Sequence, residues 1–122
     1  LVVRPFALQI GRPSPNQPVA QQGNVYYIDT VQIPAQLPTG GQFYLSSSST
    51  EVVPVIVDDR LTLGVNGQAI FTQDFGQPPT GLVIQLEAAT VAQMAGQTVT
   101  VIYQDVYGDQ QGATAVWLIW VP

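Results

Sequence analysis

Residues Val57–Phe71 read VDDRLTLGVNGQAIF. Leu61, Leu63 and Val65 alternate with Thr62 and Gly64, the period of a strand with one buried face. Asn66-Gly67 then supplies the pair that a two-residue type I′ hairpin favours, because both central residues of that turn have positive φ. Gln68–Thr72 reads as the returning strand. Two carboxylates, Asp58 and Asp59, stand just ahead of the hairpin. They read in two ways. As function, they add an oxygen site at the rim of a sheet. As structure, Asp58 accepts backbone N–H groups at the bend, and one of the pair meets Arg60 or another arginine.

The rest of the chain repeats this pattern. Strands are expected over Leu1–Ile10, Asn24–Ile33, Gln42–Ser47, Glu51–Val57, Gly81–Glu87, Thr98–Asp105 and Ala113–Val121. These runs are rich in β-branched and aromatic residues and are punctuated by Gly and Pro. Pro5 and Pro54 favour an edge or a bulge where they fall. Residues 11–22 carry Pro13, Pro15 and Pro18 and read as an extended arm or loop. Ala88–Gly96 is the single helical segment, with Thr90 as its expected N-cap and Gly96 as its stop. Eight to nine short strands and at most one short helix near 89–95 predict an all-β chain. The expected architecture is one antiparallel β-sandwich domain over 1–122, of jelly-roll type. In the last strand both faces are apolar: Val116, Leu118 and Trp120 on one, Trp117, Ile119 and Val121 on the other. The second face needs a cover, either the chain's own loop or arm, or a neighbouring subunit.

Composition narrows the function. Of 122 residues, 46% are hydrophobic, enough for a core, and only 9% are charged. Arg4, Arg12 and Arg60 are the only cations and the net charge is −5. Neither a nucleic acid nor an anionic membrane surface finds a basic footprint here. No apolar run is long enough to span a bilayer. The polarity comes instead from uncharged residues, Gln and Thr above all with some Ser and Asn, as expected outside the cell. The chain begins at Leu1 rather than Met, as a processed product or an excised domain would. Without Cys there is no disulfide and no thiolate metal site. Without His, Lys or Cys the usual bases and nucleophiles are missing, so no enzyme is expected. Carboxylate pairs for glycoside hydrolysis would have to join Asp58 or Asp59 to Asp74, Glu87, Asp105 or Asp109, which lie in separate turns.

Oxygen ligands leave calcium as the metal to consider. The richest loop is DVYGDQQG, Asp105–Gly112. Asp105 and Asp109 could share one ion, with Gln110, Gln111 and backbone carbonyls as further ligands. The alternative is a plain turn in which the two aspartates bond their own backbone. Exposed aromatic rings pack against the C–H faces of sugars, and Tyr107 in this loop and Tyr27 are the candidates. Tyr26 and Tyr27 point to opposite faces if carried on a strand. The remaining aromatics, the two tryptophans above all, read as core.

The run YYIDTVQIPAQLPTGGQFYLSSSSTEVVPVIVDDRLTLGVNGQAIF (26–71) resembles the jelly rolls of the galactose-binding-like superfamily. Val57-Asp58-Asp59 and Val65-Asn66-Gly67 carry the match, and the resemblance implies a scaffold role for the acidic pair. The segment TVTVIYQDVYGDQQGATAVWL (98–118) is similar to the end of calcium-dependent galactose-binding bacterial lectins. Tyr103, Asp105 and Gly112 match that pattern, while Gln110-Gln111 stand where it has short Asn ligands. The resemblance implies a calcium-assisted site for a neutral sugar.

Two functions follow as expectations. One is a non-catalytic, extracellular or surface module that binds a neutral carbohydrate. The other is a structural or assembly protein, such as a virion decoration, capsid-surface or filament subunit. It would use the N-terminal arm and the apolar last strand for contacts within a homo-oligomer or larger assembly.

Overall fold

The computed structural model describes residues 6–12, 20–21, 25–106 and 113–122. Its strands are β1 (Ala7–Gly11), β2 (Ala20–Gln21), β3 (Val25–Gln32), β4 (Gln42–Ser46), β5 (Arg60–Val65), β6 (Gln68–Asp74), β7 (Ile84–Leu86), β8 (Thr98–Asp105) and β9 (Val116–Val121). One helix, α1 (Ala88–Met94), lies between β7 and β8. The strands form two antiparallel sheets, ordered β1-β9-β4-β7 and β2-β3-β8-β5-β6. This is an all-β sandwich, as expected.

Its topology grows from the hairpin at Asn66-Gly67. Both residues hold positive φ, 52° and 78°, and Val65 pairs with Gln68 across them. Strands before this turn then pair with their counterparts after it: β5 with β6, β4 with β7, β3 with β8 and β1 with β9. The chain is thus one long hairpin, rolled so that β4 also meets β9 and β5 meets β8. That rolling is what makes a jelly roll.

Alternation fills the space between the sheets. Leu61, Leu63 and Val65 of β5 face inward beside Val99, Val101 and Tyr103 of β8. Across from them lie Ile10, Phe43, Leu45, Val116 and Leu118. Val91 and Met94 of α1 join the same core, and no described helix is long and apolar enough to cross a membrane.

Several expected boundaries move. Glu51–Val57 is not a strand: it makes only two isolated bridges, Val55 to Leu82 and Val57 to Ala113. Pro54 has no N–H to give a ladder. Val55 exchanges backbone bonds with Leu82, while Val53 N–H donates to Ser46 Oγ and Ile56 N–H to Thr114 Oγ1. The strands expected from Gly81 and Ala113 begin only at Ile84 and Val116. Thr90 is not the helix N-cap: it lies inside α1, Glu87 holds the cap position, and no side-chain hydrogen bond closes that end. Gly96 does follow the helix with φ of 75°. Within the expected arm, Ala20–Gln21 pairs with β3 as a short strand, while residues 13–19 lie outside the described residues.

Candidate acidic site at the end of the sandwich

β5 and β8 run side by side, with Arg60 opposite Gln104. This register sets the residues just before β5 beside those that end β8. Asp58 and Asp59 therefore meet Asp105. One carboxylate oxygen from each lies within 4.8 Å of the others. Asp59 and Asp105 are only 4% and 3% exposed, and Asp58 is partly buried.

The backbone holds Asp59 from three sides. Its N–H donates to Gln104 O at 2.7 Å, and its carbonyl accepts from Phe75 N–H at 2.8 Å. Its side-chain Oδ2 accepts from Val106 N–H at 2.9 Å. The Asp58–Asp59 peptide is cis. Asp105 is the last inward-facing position of β8, in line with Val99, Val101 and Tyr103. Beside the cluster, Arg60 pairs across the hairpin with Asp74 at 2.5 Å.

Three carboxylates this close repel one another where water cannot screen them, and a divalent cation would reverse that balance. The donor set suits calcium, which takes oxygen ligands at about 2.3–2.6 Å. Oxygens on opposite sides of one such ion are about 5 Å apart, which matches the spacing of this cluster. Three carboxylates leave coordination positions for backbone carbonyls, water or ligand hydroxyls.

Of the residues the sequence points to, Asp105 is at this site. Its expected partner Asp109 lies outside the described residues, as do Tyr107, Gln110 and Gln111. Tyr27 sits in β3 directly opposite Tyr103. The convergence of Asp58-Asp59 on Asp105 is the feature that sequence reading alone did not assign to a metal. A readable signal existed: two inward-parity positions on strands that become neighbours.

A second polar group lies at the open edge between β1 and β3. Arg12 holds Asp29 through Nη2 at 2.6 Å, Nε at 2.8 Å and its backbone N–H at 3.1 Å. The hydrogen bond to Asp29 raises the guanidinium above its ordinary pKa. A cavity of about 310 Å³ opens here, lined by Gln9, Gly11, Arg12, Asp29 and Val31 among others. Deeper in, burial and then the Asp29 charge push the Tyr103 phenol well above the usual tyrosine range. A larger, mostly apolar cavity of about 400 Å³ lies between α1 and the loop before β4, against Leu37, Phe43, Leu86, Val91 and Ala92.

Compared with known proteins, the chain matches no family model, no curated protein and no solved structure.

Proposed function

We propose that this chain is a non-catalytic, extracellular or surface module that binds a neutral carbohydrate with the help of calcium. The observation that carries this reading is the meeting of Asp58, Asp59 and Asp105 within 4.8 Å. The ion supplies coordination positions that a pair of sugar hydroxyls can fill. The chain's part is to hold three oxygen ligands rigidly, through β5, β8 and the hydrogen bonds on Asp59. The likeness of 98–118 to calcium-dependent galactose-binding lectins agrees with this choice and moves the ligand set. Asp58 and Asp59 take the place that Asp109 held in the reading from sequence.

The test is thermal unfolding in EDTA and then in millimolar calcium, followed by a glycan array under both conditions. A ligand that binds only the folded state stabilises it by mass action. The expected result is a rise of about 5 °C or more with calcium, absent in Asp105→Ala, and calcium-dependent retention of a neutral glycan. No shift in melting and no retained glycan would end this reading.

One observation favours the assembly reading instead. β6 is an edge strand of seven residues, and from Gln68 to Gln73 it carries neither charge nor proline. A pairing irregularity between Leu63 and Gly64 bends it, but the charges and prolines that also blunt natural edges are missing from this stretch. Light scattering across a concentration series decides this: a monomer at every concentration removes it.

A further inference from the structure

The strands of the four-stranded sheet carry no charge, whereas β3, β5, β6 and β8 of the other sheet each carry one. The residues on the outward face of the four-stranded sheet follow from the register. Phe43 opposes Trp120 and Leu45 opposes Leu118, and these point into the core. Alternate positions point out. Tyr44 therefore stands beside Ile119, and Ser46 beside Trp117. On the far side of β9, Ala7 flanks Ile119 and Gln9 flanks Trp117. On the far side of β4, Gln85 flanks Tyr44. Gln42 stands opposite Val121 and accepts a hydrogen bond from the Gln85 amide.

Three properties of this face decide its chemistry. β1, β4, β7 and β9 contain no charged residue. Tyr44 and Trp117 are diagonal neighbours across the β4–β9 pair, positions about 7–8 Å apart along the backbone, and both are half-buried. Exposed amides of Gln9, Gln42 and Gln85 rim them. Each amide can both donate and accept, as a hydroxyl requires. Ile119, opposite Tyr44 and two residues along β9 from Trp117, is only 1% exposed although it belongs to the outward face. Its apolar area is already withdrawn from water, so a docked protein would gain little by covering it.

We infer that this face binds a neutral, extended polysaccharide without calcium. Tyr44 and Trp117 stack on sugar rings, and Gln9, Gln42 and Gln85 bond their hydroxyls. The inference deepens the carbohydrate reading, but it uses a different surface from the acidic cluster, so the two can fail separately.

The test is native affinity electrophoresis in EDTA through gels containing hydroxyethylcellulose, galactomannan or dextran, with anionic alginate as a control. The expected result is retardation by at least one neutral polymer and none by alginate. Affinity should fall about tenfold or more in Trp117→Ala and in Tyr44→Ala, and stay unchanged in Gln93→Ala, an exposed position of α1. Trp117→Phe, which keeps a ring, should retain part of it. If Trp117→Ala does not fold by circular dichroism, Tyr44→Ala and Gln85→Ala decide the matter. No retardation by any neutral polymer overturns the inference, and so does retardation that these variants leave intact. Retardation that is absent in EDTA, appears when the gels are repeated in millimolar calcium and is lost only in Asp105→Asn would support the acidic cluster and overturn this face. A Trp117→Ala variant that merely turns an oligomer into a monomer would make the face a contact between copies.

Discussion

The hydroxyl of Tyr103 packs directly on Gly11. A methyl group at residue 11 would sit 2.0 Å from that oxygen and 3.0 Å from the ring carbon that bears it. Tyr103 belongs to the five-stranded sheet and Gly11 to the four-stranded one, so this contact spans the sandwich. Overpacking of this kind costs about 1–3 kcal/mol. Gly11→Ala should lose stability by at least that much in urea denaturation. Tyr103→Phe in the same chain should recover part of the loss, because the nearest atom is gone and the ring carbon and Val101 Cγ1, at 3.0 and 3.3 Å, remain. Additive effects of the two changes would deny the contact.

Tyr103 also makes stability depend on alkaline pH. The phenol is 3% exposed, and its oxygen has no hydrogen-bond partner among the described residues. Burial raises its pKa above the value of about 10 that an unfolded tyrosine has. Between those two values the native state keeps a proton that the unfolded state has lost, so rising pH favours unfolding. The contribution is intact below about pH 10 and declines above it, by at most about 1.4 kcal/mol per pH unit. Denaturation at several pH values from 9 to 11.5 should show this slope in the wild type and a shallower one in Tyr103→Phe. Equal slopes would mean that Tyr103 titrates like an exposed phenol.

Removing one carboxylate from the acidic cluster should weaken its response to calcium. Asp105→Asn keeps the shape of the side chain but takes away one charged ligand oxygen. Millimolar calcium should raise the melting temperature of the wild type over its value in EDTA, and raise that of the variant far less. A variant that is weaker in EDTA yet still gains from calcium would show that Asp105 is structural and not a ligand.

Ser46 ties the loop after β4. Its buried hydroxyl accepts from Ser48 N–H at 3.1 Å and Val53 N–H at 3.0 Å and donates to Glu51 O at 2.6 Å. Ser46→Ala strips three backbone groups of their partner, at a cost of about 1–3 kcal/mol. The denaturation midpoint should fall with an unchanged m-value. A change under 0.5 kcal/mol would mean that the loop rearranges freely.

The parts of this fold that sequence shows plainly are those governed by neighbours in the chain. Asn66-Gly67 and the alternation of Leu61, Leu63 and Val65 specify a hairpin locally, and Thr98–Asp105 appears with the bounds expected. Glu51–Val57 has strand composition too, but its backbone bonds are divided among Ser46, Leu82 and Thr114, which no local pattern announces. The acidic site is harder still. Asp59 and Asp105 meet only because β5 and β8, distant in sequence, lie side by side. Likewise, the two faces of β9 are legible, but which one meets the core is set by the pairing of Phe43 with Trp120.

The nesting of strand pairs about Asn66-Gly67 implies an order of assembly. Closing β5 on β6 joins residues a turn apart, whereas β1 must find β9 across nearly the whole chain. The entropy of closing a loop grows with its length, so each pair formed shortens the search for the next. The roll should zip outward from its tip. Edge strand β1, paired with β9 alone, should join last and fray first, ahead of the β5–β8 centre in hydrogen exchange.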